Sequence, residues 1–145
     1  MRKLVSLSLV LLFAFGTVIP AIAETKPFRF RALATGVQYT FNMARKAGGS
    51  DFENLAYFTV LRSVVMPNGT TATSNLVDGD KIDFRSITTD YEYASRRATA
   101  TRYGNTVHAR YLDGKAIANA SYYLGARTNP ASAHANVRVA GQWTP

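Results

Sequence analysis

Residues 107–124 read VHARYLDGKAIANASYYL, and this stretch decides the fold. Small or apolar residues alternate with polar ones on both sides of Asp113-Gly114, a dipeptide that favours a type I′ hairpin turn. Strict alternation places every second side chain on one face of a strand, as in a half-buried β-sheet. The stretch therefore predicts two antiparallel strands that share one small-residue or apolar face.

The same alternation continues outward from this hairpin. Residues 98–101 alternate alanine with threonine, and residues 135–143 mostly alternate apolar with polar side chains. Gly104-Asn105 and a longer loop over residues 125–132 supply the remaining turns. The pattern predicts a C-terminal four-stranded antiparallel meander from about Tyr91 to Trp143, in which each strand pairs with the next.

The first half supplies the large side chains of the core. Phe28 and Phe30 alternate with arginines, and residues 81–87 predict a further strand. Residues 52–66 are ambiguous because a helix-capping spacing precedes a run of β-forming residues, and we favour a strand there over a helix. With seven or eight strands and no long helix, the sequence predicts an all-β domain, either an antiparallel β-sandwich or a small barrel.

The first 23 residues predict a cleavable secretory signal peptide, followed by a single domain over residues 24–145. Arg2-Lys3 precedes an apolar run that extends to about Val18, and Ala21-Ile22-Ala23 places small residues two positions apart. The run is shorter than the roughly 20 residues of a membrane span. We therefore expect a secreted or extracellular protein of bacterial type, released or held non-covalently at the cell envelope.

The composition excludes several classes of site. The chain contains no cysteine, which rules out disulfides, thiolate metal ligands, a cysteine nucleophile and a lipid-anchored cysteine. Hydrophobic residues make up 47% of the chain and charged residues 18%, which is typical of a globular domain rather than a disordered one. The domain must therefore be held together by its core alone.

The net charge of +8 is unevenly distributed. Eight basic and eight acidic residues balance between Glu24 and Ser95, whereas seven basic residues face Asp113 alone between Arg96 and Pro145. Such a segment favours an anionic partner. We expect an anionic cell-wall polymer, a polysaccharide or a membrane surface; no recognition helix or RNA-binding signature points to a specific nucleic acid.

Basic and aromatic residues are interleaved in this C-terminal segment. Arginine forks suit phosphate and carboxylate groups, and aromatic rings suit sugar rings or exposed bases. If the meander forms, several of these side chains line one surface; the alternative is a solvated sheet face above ordinary core tyrosines. The predicted anion-binding residues are Arg96, Arg97, Arg102, His108, Arg110, Arg127, Arg138 and Tyr123.

Patterns of catalysis and metal binding are weak. No nucleophile elbow surrounds a serine, and neither histidine has a partner at a recognised spacing. Asp78, Asp80 and Asp83 lie beside a glycine and a lysine, where turn formation is more typical than a glycosidase pair or a calcium loop. We therefore predict a binding protein without cofactor or metal, and rank a small extracellular hydrolase third.

A short segment resembles a known family. Ser121-Tyr122-Tyr123, residues 131–137 (ASAHANV) and Gly141-Gln142-Trp143 are similar to the secreted lactococcin-972-type bacteriocins. Those are small, cationic, cysteine-free β-sandwich proteins, and the mature chain here is longer than their usual product. The resemblance implies an alternative function, a bacteriocin-like secreted toxin.

Overall fold

Eleven strands account for most of the regular structure in residues 23–40 and 42–145, which this computed structural model describes. In chain order they are β1 (Lys26–Leu33), β2 (Gln38–Tyr39), β3 (Ala44–Arg45), β4 (Leu55–Leu61), β5 (Ser63–Val65), β6 (Thr71–Thr73), β7 (Ile82–Ile87), β8 (Ala98–Ala100), β9 (Thr106–Arg110), β10 (Ser121–Thr128) and β11 (Val137–Thr144). In this described part of the chain, a single 3-10 turn spans Gly49–Asp51 and there is no α-helix. The predicted signal peptide lies outside the described residues, except for Ala23.

The strands form two main antiparallel sheets and a separate hairpin. Sheet I has the order β1-β11-β4-β9, and sheet II has the order β2-β10-β7-β8, with β3 also paired to β10. The β5–β6 hairpin forms a two-stranded unit of its own. The sheets do not close into a barrel. The prediction of an all-β, antiparallel β-sandwich is confirmed, and the barrel alternative is wrong.

Aromatic side chains fill the space between the two sheets. The Phe84 ring of sheet II meets the rings of Phe28 and Phe58 of sheet I, each at 5.4 Å between centroids. The Phe58 ring also stacks on Trp143, with centroids 6.2 Å apart. Each such pair stabilises the fold by roughly 0.5–1.5 kcal/mol beyond the burial of its area. These inward side chains alternate with outward ones, which form two opposite outer faces.

The predicted four-stranded meander is wrong, although its strands are largely present. β8 and β10 belong to sheet II, whereas β9 and β11 belong to sheet I, so the chain changes sheet at each connection. Residues 116–120, expected in a strand, form an irregular turn in which Asn119 has a φ of 63°. That turn carries the chain from one sheet to the other. Alternation identifies the face of a strand but not its partner, because pairing depends on residues far apart in sequence.

Two local predictions have opposite outcomes. The strand favoured over residues 52–66 is confirmed, because β4 and β5 occupy most of that segment. The loop predicted from residue 125 is wrong, because β10 continues to Thr128. Gly125 marks close packing here rather than a turn: a Cβ atom at this position would lie 2.8 Å from Cγ1 of Ile87.

The β5–β6 hairpin covers part of the outer face of sheet I. Val64 and Ala72 pack there on Ala140, whose side chain points away from the main core. The Ser74 hydroxyl ties the hairpin down, because it donates to the Leu61 carbonyl at 2.7 Å and accepts from the Ala140 N–H at 2.7 Å. Sheet I therefore carries a second small core on its outer side.

Candidate functional site

The structure divides the eight predicted anion-binding residues between the two sides of the sandwich. Three lie at the outer face of sheet II: Arg97, Arg127 and Tyr123. Three others lie on outward positions of sheet I: His108, Arg110 and Arg138. The last two lie in connecting segments: Arg96 and Arg102. The expectation that several of these side chains line one surface rested on the meander; without the meander, three of the eight still lie together on sheet II, and anion binding by these residues stays a prediction.

A buried carboxylate organises the arginines of sheet II. Asp83 is only 2% exposed, although its strand position points outward. Its Oδ2 accepts from Arg127 Nε at 3.1 Å and lies 3.5 Å from Arg97 Nη1. Its Oδ1 accepts from the Thr99 hydroxyl at 2.8 Å and from the Asn129 amide at 2.9 Å. A buried charge is tolerated only when it is paired and hydrogen-bonded, so this network fixes both guanidinium groups in place.

A shallow depression lies beside these arginines. Its floor is Gly125, which pairs in register with Arg85 on one neighbouring strand and with Tyr39 on the other. The depression has a volume of about 40 Å³. On its rim, the Arg85 guanidinium lies over the Tyr93 ring, 4.2 Å from the centroid. This cation–π contact holds a third guanidinium on the same side of sheet II.

Three tyrosines form a row across the same face. The rings of Tyr91 and Tyr123 stack nearly parallel, 5.4 Å apart, and Tyr39 meets Tyr91 edge-on at 5.6 Å. The neighbouring Tyr91 side chain raises the pKa of Tyr123. Tyr91 has a φ of 63°, a conformation that costs a non-glycine residue roughly 1–2 kcal/mol. The contacts of the Tyr91 ring therefore stabilise a backbone conformation that is unfavourable by itself.

Together these residues define one surface, which we call the arginine–tyrosine face. Its members project from β2, β7 and β10 and from the segment before β8: Tyr39, Arg85, Tyr91, Tyr93, Arg97, Tyr123 and Arg127. The predicted residues did not include Arg85, Tyr39, Tyr91 or Tyr93, because these four belong to the half of the chain with balanced charge. The alternation of residues 81–87 could have placed Arg85 beside Asp83, but only the pairing of β7 with β10 brings Arg127 to them.

The outward positions of sheet I are organised differently. Arg110 and Arg138 form no ion pair with any residue in the described part of the chain. The His108 ring lies 6.3 Å from the Tyr57 ring across the β4–β9 pair. The hydrogen bond that the Tyr57 hydroxyl donates to the Glu53 carboxylate, together with burial, raises the pKa of Tyr57. The basic residues on this side are therefore dispersed.

The second histidine, His134, contacts a buried carboxylate in a neighbouring loop. Nδ1 of His134 lies 2.9 Å from Oδ1 of Asp80, a carboxylate that is 1% exposed. Burial alone would raise the pKa of Asp80, but hydrogen bonds from Val77 and His134 outweigh it and hold that pKa below its usual value. Asp80 and Asp83 are thus both occupied by hydrogen bonds that fix loops and strands.

Within residues 23–40 and 42–145, no group of three histidine or carboxylate side chains could hold a metal ion. No helix in that part of the chain is long and apolar enough to cross a membrane.

No family model, curated protein or solved structure matches this chain significantly. The bacteriocin-like alternative therefore stays a prediction from a short resemblance. In that segment Tyr122 is a core residue whose hydroxyl donates to the Lys115 carbonyl at 2.6 Å, whereas Tyr123 lies on the arginine–tyrosine face. We base the functional proposal on the geometry of this face.

Proposed function

We propose that this protein is a secreted, non-enzymatic binding domain that holds an anionic polymer on the arginine–tyrosine face. One observation supports this most strongly. Arg85, Arg97 and Arg127 share one side of sheet II with four tyrosine rings; Asp83 pairs with Arg97 and Arg127, and Arg85 packs on the Tyr93 ring. Secretion, and attachment to an anionic polymer of the cell envelope, are parts of the proposal that rest on the sequence.

The chemistry of the guanidinium group suits this role. Each guanidinium carries five N–H donors, and Asp83 uses only Nε of Arg127 and one terminal nitrogen of Arg97. The remaining donors match carboxylate, sulfate or phosphate oxygens in fork geometry. Because Asp83 and the Tyr93 ring already fix the side chains, a ligand loses less conformational freedom of the protein when it binds.

The shape of the face favours an extended ligand over a small enclosed one. The depression over Gly125 is far smaller than the roughly 300–1,000 Å³ of a typical small-molecule site. The tyrosine row and the arginines instead extend over neighbouring strands, each separated by about 4.8 Å. A polymer that lies across the strands contacts several guanidinium groups and rings at once, which increases avidity without a deep pocket.

A pair of charge-matched variants tests the proposal. Arg85 pairs with no carboxylate among the described residues and packs on an exposed ring, so Arg85→Gln leaves the Asp83 network intact. We expect it to weaken binding to a polyuronate about tenfold, which corresponds to the lower end of the contribution of one charge-assisted contact. The control is Arg110→Gln, which removes the same charge from sheet I and should change the affinity less than twofold.

Retention on the immobilised polymer across a range of salt concentrations is the readout. Binding should weaken steadily with salt, and the Arg85→Gln variant should show the shallower dependence. Equal effects of the two variants, or no retention of the wild-type protein at low salt, would contradict the proposal.

A further inference from the structure

A cleft opens where the two sheets part at one side of the sandwich. β1 is an edge of sheet I and β2 is an edge of sheet II. One wall of the cleft is residues 27–31, and the other includes Gln38, Tyr39, Thr40 and Asn42. The turn at residues 66–68 completes the lining, and the volume is about 480 Å³. This volume falls within the range of sites that hold small ligands.

Two arginines give the cleft an unbalanced positive charge. Arg29 and Arg31 both line it, and neither forms an ion pair with a residue that the structure describes. They are two residues apart on β1, and both contribute to the lining of the same cleft. No carboxylate is among the lining residues. Unlike Arg97 and Arg127, these two guanidinium groups therefore have no internal counter-charge to displace.

The rest of the lining suits the ring and hydroxyl groups of a sugar. Oδ1 of Asn68 accepts from the Thr70 N–H and hydroxyl, which leaves the amide N–H groups as donors. Asn42 contributes a second side-chain amide. An amide can donate to and accept from hydroxyl groups. Tyr39 adds an aromatic ring, 39% exposed, on which the apolar C–H face of a sugar can pack.

Tyr39 also joins the cleft to the arginine–tyrosine face. It lines the cleft, pairs in register with Gly125 and touches the Tyr91 ring edge-on. A chain that lies along the tyrosine row therefore ends at the mouth of the cleft.

We propose that the cleft is a subsite for one acidic sugar residue, a ring that carries a carboxylate, sulfate or phosphate group. Arg29 and Arg31 bind the oxyanion, the amides bind hydroxyl groups, and Tyr39 packs on the ring. This inference rests on the proposed function of the arginine–tyrosine face and names its ligand class as an acidic polysaccharide. It predicts that a hexasaccharide, which reaches both places, binds far more tightly than a disaccharide, which fills only one.

The test compares two double variants that remove equal charge. R29Q/R31Q alters only exposed side chains of the cleft, and R110Q/R138Q alters exposed side chains of sheet I. Affinities are measured for a hexamer of a uronic acid, a sulfated hexamer and a neutral hexamer, with thermal unfolding to verify folding. We expect R29Q/R31Q to weaken the acidic hexamers roughly 10-fold to 100-fold, and R110Q/R138Q to change them less than threefold. The preferred one of the two acidic hexamers shows whether the cleft favours a carboxylate or a sulfate group.

The possible results distinguish the proposal for the cleft from the proposal for the arginine–tyrosine face. If Arg85→Gln weakens binding while R29Q/R31Q behaves like its control, the cleft subsite is wrong and the face stands. If R29Q/R31Q weakens binding while Arg85→Gln does not, the polymer-binding face is wrong, and so is its connection to the cleft. If anionic vesicles or a short RNA bind as tightly as the acidic hexamers and respond to the same variants, the sugar assignment is wrong.

Discussion

Both outer faces of the sandwich carry arginines, but only the outer face of sheet II holds its arginines in a fixed arrangement. On sheet II, a buried carboxylate and a tyrosine ring fix Arg85, Arg97 and Arg127 in position. On sheet I, Arg110 and Arg138 lie apart, and the β5–β6 hairpin covers part of the surface. The difference teaches that the number of basic residues does not define a candidate site. Their fixed arrangement does.

Removal of the organising carboxylate should have the largest effect. Asp83→Asn takes the negative charge from a buried position and leaves Arg97 and Arg127 without their partner. We expect the free energy of unfolding to fall by about 2–4 kcal/mol, because a broken buried ion pair leaves uncompensated polar groups. The control is Asp113→Asn in an exposed turn, which should change stability by less than about 0.5 kcal/mol. Urea denaturation measures both; equal midpoints would show that Asp83 does not organise this face.

Alanine substitutions at two glycines test the depression, and we expect a smaller loss of stability than for Asp83→Asn. Gly125→Ala places a Cβ atom 2.8 Å from Cγ1 of Ile87 and fills the floor of the depression. We expect a loss of about 1–2 kcal/mol of stability from overpacking, together with weaker polymer binding. Gly36→Ala is the matched control, because no atom lies within 4 Å of its new Cβ atom. A Gly125→Ala variant that is as stable as the control would contradict the close packing described for β10.

The smallest expected effect distinguishes the tyrosines of the two faces. The pKa of Tyr123 is raised by Tyr91, whereas the pKa of Tyr57 is raised chiefly by its hydrogen bond to Glu53. Tyr91→Phe should therefore lower the pKa of Tyr123 and leave Tyr57 unchanged, while Glu53→Gln should do the reverse. Titration of the phenol signals by NMR measures both.

The raised pKa values of these tyrosines determine how the stability of the protein changes with pH. A tyrosine whose pKa in the folded state lies above its unfolded value of about 10 loses its proton first in the unfolded chain. Its contribution to stability is therefore complete below pH 10 and is lost as the pH rises further. The loss of stability above pH 10 should be smaller in Tyr91→Phe and in Glu53→Gln than in the wild-type protein. A Tyr123 titration that Tyr91→Phe leaves unchanged would contradict the effect of the Tyr91 hydroxyl on its stacked neighbour.

Much of the fold could be predicted from local patterns. The alternation around Ala98 and Ala100 correctly identified the buried side of β8, and the alternation before Trp143 did the same for β11. These patterns are local because successive side chains of any strand point to opposite faces. The partners of β10 and β11 could not be predicted in this way, because their main pairings, with β7, β1 and β4, join residues far apart in sequence.

The candidate site was predicted only in part for the same reason. Arg97, Arg127 and Tyr123 were identified from composition, but Arg85 joins them only through the pairing of β7 with β10. Gly125 was misread as a turn residue, since a glycine that permits close packing in a strand has the same local signature as a glycine in a loop. The role of Asp83 depends on burial, which its sequence neighbours do not reveal.

The most direct test of the central claim is to map the bound ligand by amide chemical-shift perturbation. The isotope-labelled protein is titrated with an acidic hexasaccharide, and shifts are compared between the two outer faces. We expect the largest shifts at Tyr39, Arg85 and Gly125, with little change at His108 and Arg110. Larger or equal shifts at His108 and Arg110 would contradict the claim that the arranged arginines of sheet II form the binding face.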